Sequence, residues 1–189
     1  EYLDELKKWM NKDLIKVVTG IRRCGKSYLL DPIFKNYLIE NGVSKDHIIK
    51  LSLDERANNI YLDPDVLDKY IRSLIVDDEK YYLILDEIQE VKEFESVLIG
   101  FMHISNVEIY VTGSNSRFLS SDIVTEFRGR GDEIRVYPLS FEEFYSVFDG
   151  SEEKALNEYY TFGGLPLTLL AKTDNAKIKY LETQRENVY

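Results

Sequence analysis

Between Gly20 and Ser27 the chain reads Gly-Ile-Arg-Arg-Cys-Gly-Lys-Ser: a glycine, four free positions, then Gly-Lys-Ser. That is the pattern of a loop built to hold phosphate. Gly20 and Gly25 lack a Cβ, so the backbone can curl successive N–H groups around phosphate oxygens. Lys26 sets a compact positive charge where the β- and γ-phosphates of a nucleotide lie. Ser27 offers a hydroxyl to Mg²⁺ and opens a helix whose N-terminal end favours an anion. Ile21, Arg22, Arg23 and Cys24 fill the free positions and Tyr28 follows, so all five belong to the candidate binding segment. The two arginines either touch phosphate or face solvent. Such a loop needs a strand before it and a helix after it, and the flanks supply both. Ile15 to Thr19 is β-rich, and Tyr28 to Ile39 has helical periodicity.

The same alternation runs on. A helix is expected over 1–13, with Leu3, Leu6 and Met10 on one face. Another is expected from Lys26 to Glu40, kinked at Pro32 because proline forfeits a hydrogen bond to Tyr28. Strands are predicted at His47–Leu53, Tyr81–Leu85, Val107–Thr112 and Asp132–Tyr137. The unbroken apolar run Tyr81–Leu85 marks a strand buried on both faces. Asp63-Pro64-Asp65 is an N-cap signature before an amphipathic helix through Ile75. Helices are also predicted near 94–104, 116–127, 140–148 and 152–162, with a further helical tract after Gly163-Gly164-Leu165-Pro166. The fold class is therefore α/β: a three-layer domain on a mainly parallel five-stranded sheet, with a small helical C-terminal part. The boundary is set at 1–138 for the core and 139–189 for the helical extension.

Ligands of such sheets bind beyond the carboxyl ends of the strands. Leu85 runs straight into Asp86-Glu87 there, sixty positions after Lys26. Asp86 is the candidate to hold Mg²⁺ with Ser27, and Glu87 the candidate to polarise an attacking water as general base. The competing account is an exposed acidic loop or an N-cap. The fourth strand ends in Thr112-Gly113-Ser114-Asn115-Ser116. There Asn115, or Ser114 in second place, is the candidate to contact the γ-phosphate or the lytic water, unless the stretch is turn chemistry alone.

These motifs, with Gly129-Arg130 and Tyr137-Pro138-Leu139-Ser140-Phe141, together resemble the ATPase module of a prokaryotic AAA-superfamily group. Modules of that group commonly precede a C-terminal region of unknown or nuclease-like character. The resemblance covers most of residues 12–170. It implies a strand order of 5-1-4-3-2, ATP and ADP as nucleotides, Mg²⁺ as cofactor and a sensor role for Asn115. It also implies homo-oligomers in which Arg130, with Arg128 in reserve, reaches a neighbour's γ-phosphate; a solvated basic turn is the alternative. Gly164 and Pro166 resemble an element that passes near the base or sugar, and equally fit a helix terminator followed by a helix start.

The formal charge is −10 over 189 residues, which argues against this domain itself binding nucleic acid; that role could come only from a missing domain. One cysteine excludes an internal disulfide and suits a reducing compartment. No apolar run is long enough to span a membrane and no signal pattern is present, so a cytoplasmic location without a membrane partner is expected. The chain reads as a piece of a longer protein. Mg²⁺-dependent ATP hydrolysis is the leading function, and a slow nucleotide-gated interaction or signalling module is the alternative. Glu87 favours the former, because a switch needs no base.

Overall fold

The computed structural model describes residues 1–114, 127 and 129–186. The chain divides into two compact units, one of Glu1–Gly20 with Lys26–Arg135, the other of Ile21–Gly25 with Val136–Tyr189. In the larger unit five strands form one sheet: β1 (Ile15–Thr19), β2 (Ile48–Ser52), β3 (Tyr81–Asp86), β4 (Val107–Thr112) and β5 (Gly131–Arg135). Every neighbouring pair is parallel, and from β5 the order across the sheet is 5-1-4-3-2. Among the described residues the α-helices of this unit are α1 (Tyr2–Trp9), α2 (Lys26–Tyr28), α3 (Lys35–Glu40), α4 (Pro64–Leu74) and α5 (Phe94–Phe101). No helix among the described residues is long and apolar enough to cross a membrane.

Successive side chains of a strand leave opposite faces, and this decides what each layer sees. Ile15, Val17, Leu83, Leu85, Ile109 and Val111 join one continuous core with Leu67 and Ile71 of α4 and with Phe94, Leu98 and Phe101 of α5. The alternate positions point the other way. There the Phe34 ring lies 4.6 Å from that of Tyr110 and 6.5 Å from that of Tyr82. All six residues of β3 are buried, as its unbroken apolar run requires. The Asp63 carboxylate caps α4 by accepting from the Asp65 and Val66 N–H groups at 3.0 and 3.1 Å.

The long helix expected over 26–40 is broken rather than kinked. Between α2 and α3 the segment Leu29–Phe34 winds loosely, and Asp31 leaves helical geometry altogether at φ −144°, ψ 111°. Asp31 precedes Pro32, whose ring forces the residue before it towards extended backbone. The freed carboxylate bonds Lys50 at 2.8 Å and lies 3.6 Å from Lys35. α1 also stops short of the expected residue 13, because the chain turns at Asn11 (φ 60°) to donate its N–H to Glu108. The helix expected over 116–127 lies outside the described residues, Phe127 excepted.

The smaller unit carries α6 (Phe141–Val147), α7 (Glu152–Phe162), α8 (Pro166–Leu170) and α9 (Asp174–Glu186). Ser140 and Glu143 form a reciprocal capping box at α6, and the Tyr159 ring stands edge-on to Phe141 and Phe144.

At the end of the sheet where β1 and β4 begin lies a buried ionic cluster that no sequence pattern announces. The Lys16 ammonium donates to Glu108 at 3.2 Å and to the Lys12 carbonyl at 2.8 Å. Glu108 also accepts from Lys80 at 2.9 Å, from the Tyr110 hydroxyl at 2.8 Å and from the Asn11 N–H at 2.7 Å. Burial by itself pushes the Glu108 carboxyl up, but Lys16, Lys80, Tyr110 and Asn11 outweigh it and hold the group below its ordinary value. Burial lowers Lys16, a shift that Glu108 only partly offsets. Burial and the adjacent carboxylate together push the Tyr110 hydroxyl far up. Glu108→Ala is expected to cost about 3–5 kcal/mol in urea unfolding, because it strands a buried ammonium. The sign of the pH effect follows from the depressed Glu108: its contribution is present above the ordinary carboxylate value of 4.5 and is lost as pH falls through the folded one. The stability gap between wild type and Glu108→Gln should therefore narrow below pH 4.5; a gap that widens there contradicts the assignment.

Candidate functional site

Where β1 ends, Gly20 adopts φ 143° and its carbonyl turns to accept from the Lys26 ammonium at 3.0 Å. Lys26 is only 4% exposed, so its charge is held within the fold rather than solvated at the surface. Ser27, in α2, donates its hydroxyl to Asp86 Oδ1 at 3.0 Å. Asp86 closes β3, and the Thr112 hydroxyl at the end of β4 donates to the same Oδ1. β3 and β4 are in register through Leu85 and Val111, so Asp86 and Thr112 come next to each other one step further along.

Glu87 then departs from the strand in the left-handed region, at φ 54°, ψ 50°. Its N–H donates to Thr112 Oγ1 at 3.0 Å, so a single hydroxyl links the Asp86 carboxylate to the Glu87 main chain. The Glu87 carboxylate accepts twice on Oε2: from Ser114 Oγ at 2.8 Å, and from Gln89 Nε2. Ser27, Asp86 and Glu87, proposed from their motifs, thus form one hydrogen-bonded group with Thr112, Ser114 and Gln89, and Lys26 adjoins it in the chain, bonded to the Gly20 carbonyl. Sequence reasoning missed Thr112 and Gln89. Both stand inside motifs that had been noticed, but only the β3–β4 register shows that Thr112 faces Asp86.

Asn115 and Arg128 lie outside the described residues. Arg130 is exposed, and its carbonyl accepts from the Ile15 N–H at 2.8 Å, which places it where β1 begins. Lys26 follows the far end of that strand, about 16 Å away at roughly 3.3 Å per residue. Tyr28 is exposed. In the smaller unit Arg23 takes φ 65° and sets its guanidinium 5.4 Å from the Tyr180 ring centroid, while Arg22 is exposed. Cys24 is buried with its Sγ 3.4 Å from the Val136 carbonyl. Gly25 adopts φ 111°. Gly164 has a packing reason to be glycine: a Cβ there would collide with the Leu139 carbonyl oxygen, and the Leu139 N–H donates to the Gly164 carbonyl at 2.8 Å. Pro166 opens α8 at a position where its missing N–H costs nothing.

Residues 12–145, well over half of the chain, match the AAA domain family. The chain belongs to that family. The chain is 32% identical over 176 residues to an uncharacterized protein of Haemophilus influenzae, covering 90% of this chain and 44% of the relative. It is 33% identical over 198 residues to an uncharacterized protein of Methanocaldococcus jannaschii, covering 98% and 42% respectively. The chain therefore spans less than half the length of these relatives. Among solved structures the chain superposes on C. elegans PCH-2 with a TM-score of 0.57 at 15% identity, covering 99% of this chain and 66% of that one. It superposes on S. cerevisiae Hsp104 in its casein complex with a TM-score of 0.60 at 12% identity, covering 99% and 38%. These likenesses establish the α/β fold of P-loop nucleotide-hydrolysing proteins, and the family agrees with it.

Thr112→Val keeps the shape of the side chain and removes the hydroxyl. It should leave the Glu87 N–H without its acceptor and lower stability by about 1–3 kcal/mol in chemical denaturation. No loss would mean that the AAA domain's acidic pair is placed without Thr112.

Proposed function

We propose that the protein binds ATP with Mg²⁺ and hydrolyses it. The observation that carries this reading is the meeting of Ser27 and Asp86 at the carboxyl end of β3, directly after a buried phosphate-loop lysine. A hydroxyl and a carboxylate are hard oxygen donors, the kind Mg²⁺ takes. Among the described residues no group of three or more His, Cys, Asp or Glu side chains gathers as a metal cage. That suits an ion which keeps several waters and shares phosphate oxygens rather than one enclosed by protein. When bound, Mg²⁺ would neutralise charge on the β- and γ-phosphates. The backbone of Gly20–Ser27 would cradle the phosphates, with the charge of Lys26 directed at the β/γ pair. Glu87 would take a proton from the attacking water, while Asn115 contacts the γ-phosphate.

Arg130 is assigned to a neighbouring copy's nucleotide, since it directly precedes β5 and its carbonyl pairs with Ile15 at the start of β1, while its own Lys26 follows the far end of that strand. Lys26→Ala should abolish most binding of a fluorescent ATP analogue in a folded protein. Glu87→Gln should retain the nucleotide and slow hydrolysis by roughly 10²–10⁴-fold, the usual worth of a general base. Wild-type turnover in Glu87→Gln would reassign the base to another group. In the full-length protein, specific activity should rise with concentration. Arg130→Ala should flatten that rise without weakening ATP binding, by a factor of up to 10³–10⁵ for an arginine finger (an order-of-magnitude expectation).

A further inference from the structure

The Glu87 carboxylate is held on one side only. Both of its side-chain donors, Ser114 Oγ and Gln89 Nε2, reach Oε2, while Oε1 takes no hydrogen bond among the described residues. The two donors come from different elements. Ser114 follows β4, whereas Gln89 sits in the 3-10 turn Ile88–Glu90 that Glu87 itself leads into. Gln89 makes this bond at a cost to itself: its Oε1 is buried and has no partner among the described residues. Turning the amide over would set that oxygen against the carboxylate, so the Glu87 bond dictates which way the amide faces. A buried amide oxygen left unpaired needs a reason, and orienting the neighbouring carboxylate supplies one.

We propose that Gln89 and Ser114 are positioning residues, which anchor Glu87 through Oε2 and so present Oε1 as the atom that accepts the proton of the attacking water. The inference rests on Glu87 being the general base. A carboxylate on a flexible chain has rotational freedom about its last bonds, and a base must meet its proton within hydrogen-bond reach. Two donors on one oxygen remove that freedom. They need not come from the same segment, and their separate origins make the anchor depend on the end of β4 as well as on the turn after β3. Neither residue touches the reacting atoms in this scheme. Glu87 does, and its left-handed backbone is already tied to Thr112.

The test compares Gln89→Met, Ser114→Ala and Ser114→Thr in the full-length protein, with folding checked by thermal denaturation. Gln89→Met and Ser114→Ala should each lower kcat by roughly 10–100-fold, the scale of a misplaced reacting group, with the KM for ATP unchanged. Ser114→Thr keeps a hydroxyl and should restore most of the rate. Independently of turnover, the Gln89 side-chain N–H resonances in nucleotide-free protein should lie downfield and move upfield in Glu87→Ala. The inference is overturned if Gln89→Met and Ser114→Ala keep the wild-type kcat while Glu87→Gln loses it, or if the Gln89 resonances ignore Glu87→Ala. The general-base reading fails on a different result, a Glu87→Gln protein that turns over at the wild-type rate.

Discussion

The hydrogen bond from the Thr112 hydroxyl to Asp86 joins the chemistry of this protein to its sheet. It exists because β3 and β4 are parallel and in register, so their last residues leave the same face side by side. Ser27 reaches the same oxygen from α2, and Glu87 hangs its main chain on the same hydroxyl. A slip of one residue between β3 and β4 would send Asp86 or Thr112 to the opposite face and dissolve all three contacts. The apolar core on that opposite face prevents the slip, since Leu83, Leu85, Ile109 and Val111 would have to leave it. Packing on one face thus sets the positions of polar groups on the other.

That second face has its own division. Lys16 and Glu108 are paired at the starting end of the sheet, Asp86 and Thr112 at the finishing end, and the rings of Tyr82, Tyr110 and Phe34 lie between. The starting cluster is fully answered by its own ammonium groups and hydroxyl. Its members are spent on one another, which fits a role in fixing the register of β1 against β4.

Much of this was legible beforehand, and the exceptions share a cause. The strands, the Asp63 cap and the helices of the smaller unit follow from local signals, apolar runs, turn residues and periodicity, and the strand order comes through the resemblance. What could not be read were pairings between distant residues. Lys16 and Glu108 look like polar positions on half-exposed strands, yet they are 92 residues apart in sequence and buried together. Thr112 read as an ordinary β-branched strand end. Gln89 read as one letter of a motif, because nothing local shows that its amide meets Glu87. Pro32 was recognised as a disturbance, but the pull of Lys35 and Lys50 on Asp31, which helps hold the helix open, again comes partly from a strand distant in sequence.

The balance of charge at the finishing end follows from the same contacts. Ser27, Thr112, Ser114 and Gln89 are neutral donors: they orient Asp86 and Glu87 and spread their charge, but they cancel none of it. Two adjacent carboxylates therefore remain there in a chain already at −10. The buried Lys26 ammonium gives one of its donors to the Gly20 carbonyl, which keeps it with the loop that leaves β1. Such a site favours the arrival of a divalent cation more than that of a bare polyanion, because the cation lowers the repulsion that the neutral donors leave in place. Under the proposed function, the nucleotide would then enter as its magnesium complex, with the acidic pair meeting the cation rather than bare phosphate.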